Sequence, residues 1–125
     1  MKYDFQPTPF TQIRAIDGIS ITRAGRIGLP KFFLTTQGIQ PGMKAYLYWD
    51  SETRSIAIEF TGQGDATAFP IVFTKGYGAF ISASRFFSAH GIDASEHTGR
   101  YSYTREAGAA IGIPEAMSSL FVIRL

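Results

Sequence analysis

The sequence predicts a mostly β fold with short helices: a pseudo-twofold arrangement of two β-hairpin/helix repeats around one shared core. Three observations predict it. Apolar residues alternate with polar ones in short runs, as half-buried strands require. Glycine and proline punctuate those runs where turns and helix ends belong. The pattern of Gly18 to Phe60 then returns, weaker, beyond Gly62-Gln63-Gly64-Asp65. One such unit cannot cover its own apolar face, whereas two can share a core.

In the first copy Ile19 and Ile21, with Arg23 next in register, alternate as one strand face, and Ala24-Gly25 forms a turn. Ile27 and Leu29 resume the alternation. Pro30 suits the first turn of a helix, where a missing N–H costs nothing. Leu29, Phe32, Phe33 and Thr36 follow at helical spacing, and Gly38 supplies the stop. After the loop Gln40-Pro41-Gly42, a strand over Lys44 to Trp49 puts Ala45, Leu47 and Trp49 on one face. Asp50 to Thr53 turns the chain, and Ile56, Ile58 and Phe60 return.

In the second copy Ile71, Phe73 and Lys75 take the first strand, Gly76-Tyr77-Gly78 the turn and Ala79-Phe80-Ile81 the return. Ser82 is the predicted N-cap. Ala83, Phe86, Phe87 and His90 repeat the spacing of Leu29, Phe32, Phe33 and Thr36. Lys31-Phe32-Phe33 is echoed by Arg85-Phe86-Phe87, and Gly38-Ile39 by Gly91-Ile92. Strands over Arg100 to Thr104 and Leu120 to Arg124 close the copy. The Ala/Gly-rich stretch between them accommodates a short helix after Pro114. The predicted repeats run from about 13 to 61 and from about 69 to 125 within one domain, 1–125. The expected core is Ile19, Ile21, Ile27, Leu29, Phe33, Leu47, Ile56, Ile58, Phe73, Ile81, Phe87, Val122 and Ile123.

Composition narrows the function. Of 125 residues, 45% are apolar and 14% aromatic, ample for an ordered core and far from a disordered profile. Twelve Lys and Arg against ten Asp and Glu leave a net charge of +2, which is no strong nucleic-acid footprint. The absence of cysteine removes disulfides, thiol nucleophiles and Cys-ligated metals. The N-terminal Met-Lys-Tyr-Asp-Phe-Gln-Pro has no signal-peptide core, and no run reaches membrane-spanning length. A soluble, cytoplasmic protein with no membrane partner is expected.

Thr22-x-x-Gly25-Arg26-Ile27-x-Leu29-Pro30, followed by Gly38-Ile39-x-Pro41-Gly42, resembles the AbrB/MazE/MraZ swapped-hairpin family. The resemblance covers about a third of the chain well, and two units in one chain look like the MraZ arrangement. It implies interleaved hairpins closing a barrel of AbrB-like or double-psi type, and a DNA-binding regulator or an antitoxin-like partner of another protein. It puts Arg23 and Arg26 on the turn that would face DNA. The second copy departs from the pattern: the Gly-Arg turn is replaced by Tyr77-Gly78-Ala79-Phe80 and the proline is gone.

Two residue sets follow as site candidates. Arg14, Arg23, Arg26 and Lys31 would cluster on a projecting hairpin and take phosphates or guanine edges; alternatively they form a solvated turn with a barrel-stitching arginine paired to a carboxylate such as Asp17. Tyr46, Tyr48, Tyr101 and Tyr103, with Trp49, would present stacking or self-association surface, or simply pack as strand aromatics do. His90 and His97 lack metal-ligand spacing, and Ser88, His90 and Asp93 make a triad only on paper. Gly62-x-Gly64 and Gly76-x-Gly78 open no helix and carry no Lys-Ser/Thr, so neither is a phosphate loop. No catalytic residue, metal or cofactor is expected. The expected partners are double-stranded DNA or, alternatively, a protein or a second copy in an assembly module that has lost DNA binding.

Overall fold

The computed structural model describes residues 18–75, 78–113 and 119–125. Arg14, Asp17, the Gly76-Tyr77 turn and the expected helix after Pro114 lie outside the described residues. The elements run β1 (Ile19–Ile21), β2 (Arg26–Leu29), α1 (Lys31–Gln37), β3 (Lys44–Asp50), β4 (Ser55–Thr61), β5 (Phe69–Thr74), β6 (Gly78–Ser82), α2 (Ser84–Ala89), β7 (Gly99–Tyr101), β8 (Thr104–Glu106) and β9 (Leu120–Arg124). Short 3-10 turns fill Ala94–Glu96 and Gly108–Ile111. Among the described residues no helix is long and apolar enough to cross a membrane.

All strand pairings are antiparallel, in the order β7-β1-β2-β6-β5-β3-β4-β9-β8. The end strands β7 and β8 are joined through Ser102 and Tyr103 alone, so the sheet curls into a half-barrel. Pairs β1·β7, β2·β6, β3·β5 and β4·β9 each join a strand before Gly62 to one after it. The two halves of the chain therefore complete one another's sheet.

Inside the curl lie Ile19, Ile21, Ile27, Leu29, Phe33, Ile56, Ile58, Ile81, Phe87, Leu120 and Ile123, all essentially inaccessible. Phe33 is the hub of an aromatic group, its ring 5.9 Å from Phe60, 5.2 Å from Tyr103 and 5.1 Å from Phe121. Edge-to-face contacts of this kind add about 0.5–1.5 kcal/mol each beyond buried area.

Several expectations need correction. Leu47, Phe73 and Val122 are only partly buried. Leu47 and Phe73 pack against the margin of the core. Val122 faces outward, because Ile123 beside it faces in and successive strand side chains alternate. The expected strand Arg100 to Thr104 is two strands, since β7 bonds to β1 while β8 bonds to β9 and one straight segment cannot serve both. Ser82 ends β6, and Ala83 takes the cap position with no side-chain cap bond. Leu29 belongs to β2, not to a helix.

The helical echo also shifts by one residue. The first helical bonds run from Leu34 N–H to Pro30 O and from Phe87 N–H to Ala83 O. Counting from them, Phe33 and Leu34 stand where Phe86 and Phe87 stand, and these are the buried pairs of the two helices. The C-terminal ends do correspond as read: Gly38 and Gly91 have φ of 70° and 66°, and Ile39 and Ile92 each donate five residues back, to Leu34 O and Phe87 O.

Candidate nucleic-acid interface

The hairpins place the candidate cations. Arg23 lies in the β1–β2 turn and Arg26 opens β2, both exposed. Thr22 clamps this turn, its N–H donating to Arg26 O at 3.0 Å and its Oγ1 accepting from Arg26 N–H at 3.2 Å. In the β5–β6 hairpin Thr74 holds the same place, its hydroxyl donating to Gly78 O at 3.0 Å. By that count Lys75 is the counterpart of Arg23.

The β1–β2 turn does not stand away from the body. Ala83 N–H donates to Gly25 O at 2.9 Å, and a Cβ on Gly25 would sit 2.9 Å from Ser84 Cα. The first hairpin tip thus rests on the start of α2. Gly78 rests likewise on the start of α1, where a Cβ would meet Leu29 O at 2.5 Å and Lys31 N at 3.1 Å. Each end of the β2·β6 pair therefore gathers one turn and one helix start. Arg23, Arg26 and Arg85 belong to one end and Lys75 and Lys31 to the other, with the paired strand Arg26–Leu29, about 10 Å long by strand rise, between them. Lys31 lies past the opposite end of β2 from Arg23 and Arg26.

Arg26 does not project freely either. Its guanidinium lies 4.2 Å over the Phe80 ring, which stands outward on β6. Stacking of this sort contributes about 0.5–1 kcal/mol at an exposed site and fixes where the charge is presented. Arg23 is near Asp93, whose carboxyl is held below its ordinary range by Ser95 hydroxyl and amide bonds first, then by His97 and Arg23.

Charge is sharply divided along the chain. Residues 18–49 and 66–92, the two hairpin–helix units with β3, contain Arg23, Arg26, Lys31, Lys44, Lys75 and Arg85, and no carboxylate until Asp50 at the end of β3. Acidic residues gather instead in 50–65 and 93–106. Strands β1, β2, β5, β6 and β7 carry no Asp or Glu, so their outward face holds Arg26 and Arg100 without a neighbouring acid in those strands. Neither Arg100 nor the segregation of acids was among the sequence candidates. The signal was present as a run-length pattern of charge rather than as a motif.

The tyrosines do not form one surface. Tyr46 and Tyr48 lie on the outward side of β3, opposite inward Ala45. The Tyr46 hydroxyl accepts from Asp65 N–H at 3.1 Å, and that of Tyr48 donates to Glu59 Oε1 at 3.2 Å. Glu59 is 4% exposed. Tyr101 and Tyr103 instead pack against the core. Tyr101 donates to His97 O at 2.5 Å, and burial pushes its phenol above the ordinary value.

A cleft of about 740 Å³ runs past Trp49, His90, Ser55 and Ile111. His90 is exposed, with its ring 4.9 Å from Phe86 and 6.3 Å from Trp49. The acid in this cleft is committed to its own turn: Asp50 accepts from Glu52 N–H and from the Thr53 hydroxyl. Asp65 and Asp93 are used the same way by Thr67 and Ser95. Among the described residues no group of three His, Cys, Asp or Glu could hold a metal ion. No family model, curated protein or solved structure matches the chain. What the geometry defines is a mostly β, half-barrel protein whose two hairpin–helix units carry cations and no carboxylate along the sequence.

Proposed function

We infer that the chain is a non-enzymatic DNA-binding regulator of the AbrB/MraZ-like, swapped-hairpin kind, working in the cytoplasm. Two repeats interleave about a pseudo-twofold axis, and their turns and helix starts line up cations against duplex phosphates. The observation that carries this is the division of charge: residues 18–49 and 66–92 together hold six cations and no carboxylate. Such a side attracts a polyanion even though the net charge is only +2. Lys75 in the place of Arg23 supports cations from both halves, which a two-sided DNA surface needs. The cross-half strand pairs and the matching Gly38 and Gly91 ends support the duplication.

The test is binding of duplex DNA over a salt series. Affinity should fall steeply with salt and weaken when Arg23 and Arg26 become alanine; a folded protein that binds no duplex at low salt ends the proposal. One observation favours an assembly module instead. Val72 is 42% exposed on the same outward face, beside Phe80 across the β5·β6 pair. Light scattering that shows a Val72-dependent oligomer with no DNA affinity would select that alternative.

A further inference from the structure

We propose that Arg100 and Ser20 form a phosphate-binding notch on the outward face of the sheet, anchoring a DNA backbone between Arg100 and Arg26. This deepens the DNA-binding function above and rests on it. The strand register builds the notch. Arg100 on β7 lies opposite Ser20 on β1, Ser20 opposite Gly28 on β2, and Gly28 opposite Phe80 on β6. These residues alternate with the inward Ile19, Ile21, Ile27, Leu29 and Ile81, so all of them face out.

The row is low in its middle. A Cβ on Gly28 would lie 2.2 Å from Ser20 Oγ, and one on Gly18 would lie 2.6 Å from Arg100 Cγ. The Ser20 hydroxyl and the Arg100 stem occupy the space that side chains would take at those glycines, and so lie close over the strands. They border a depression of about 190 Å³ floored by Gly18, Gly28 and Pro30. That is several times the ~30 Å³ share of one water molecule, which gives room for an anion.

Chemistry selects phosphate as the occupant. Arg100 has no hydrogen bond or ion pair among the described residues. The five strands of this face contain no carboxylate. A planar guanidinium with a hydroxyl donor beside it matches the oxygens of a phosphate. Arg26 lies two strands over and two residues along, roughly 12 Å away at Cα by strand spacing. Held by Phe80, it meets a separate phosphate of the same backbone.

Duplex DNA binding of the full chain is measured over a salt series for the wild type and for Arg100→Ala, Ser20→Ala and Arg124→Ala. Arg124 is an exposed cation on β9, outside the row. Arg100→Ala should weaken binding about five- to twentyfold near physiological salt and lower the salt slope by about one. Ser20→Ala should weaken it a few-fold, and circular dichroism should report an unchanged fold. Wild-type binding that Arg100→Ala alters no more than Arg124→Ala does overturns the notch and leaves the DNA-binding function standing. If the wild type binds no duplex, that function fails, and inorganic phosphate decides the notch alone. Phosphate-dependent NMR shifts at the Gly28 amide and Arg100 side chain, absent in Arg100→Ala, sustain an anion site; no such shifts overturn it. Shifts with phosphate combined with Arg100-independent DNA binding mark a free-anion site and overturn the DNA anchor.

Discussion

The amide of Ala83 donates to the carbonyl of Gly25 at 2.9 Å, tying the tip of the β1–β2 hairpin to the start of α2. This bond joins the two halves of the chain at the point where the candidate arginines lie. It turns a hairpin that the sequence suggests as a free arm into part of a rigid edge. Arg23 and Arg26 are thus presented from a fixed frame, which lowers the entropy lost on contacting a ligand.

Gly25→Ala should therefore be costly. Gly25 has φ of 83°, and a Cβ there would lie 2.9 Å from Ser84 Cα. We expect a loss of about 2–3 kcal/mol, against about 1 kcal/mol for Gly38→Ala, where φ is also positive but no atom lies within reach. Urea unfolding measures both. Equal losses would remove the docking contact as the cause.

A fragment ending at Gly64 should be unfolded or dimeric. Its β1, β2, β3 and β4 would each lose a partner strand, exposing unpaired backbone and the inward isoleucines. Circular dichroism with sedimentation tests this, and a monomer that unfolds cooperatively would contradict it.

Phe33→Ala should destabilise by about 3–5 kcal/mol, because it opens a cavity among Phe60, Tyr103 and Phe121. Phe32→Ala, at a partly exposed position, should cost far less. Thermal melts of the pair check which of the two phenylalanines is the core residue of α1.

Lys75→Ala should lower the salt slope of DNA binding by about one, as Arg23→Ala should, if both turns touch phosphates. Titrations at several salt concentrations compare them. A normal slope for Lys75→Ala would confine binding to one end of the β2·β6 pair.

Tyr101 gives a pH dependence on the alkaline side. Burial raises its phenol above the ordinary 10.0, so the fold favours the neutral form. The unfolded chain ionises first as pH rises. The stability this group contributes is complete below pH 10.0 and is lost as pH climbs through the folded value. Tyr101→Phe should flatten this decline while removing the bond to His97 O, and ultraviolet titration of phenolate reads the shift directly.

Much of the local structure was legible. Ile19, Ile21, Ile27, Ile56, Ile58, Ile81 and Ile123 are buried as their alternation predicts. Pro30 and Gly38 bracket α1, which begins at Lys31 and ends at Gln37. The misses have a common cause. For Val122, Arg100 to Thr104 and the Phe pairs, neighbours along the chain are a poor guide, because their settings depend on strands far away in sequence. Nothing in the local sequence of Arg100 says that Ser20 and Gly28 lie beside it in the sheet.

By itself, the sequence determined that short strands alternate with glycine- and proline-marked turns and two short helices, which side of most strands is apolar, and that acids are absent from both hairpin–helix units. Those properties depend on backbone conformation and residue type within a few positions. The tertiary structure alone decided that the halves exchange strands, that the β1–β2 tip rests on the start of α2, and that Arg26 lies over Phe80 while Arg100 borders a glycine-floored notch. Those are contacts between distant residues, chosen because burying both apolar faces in one curl leaves no other place for the strands to pair.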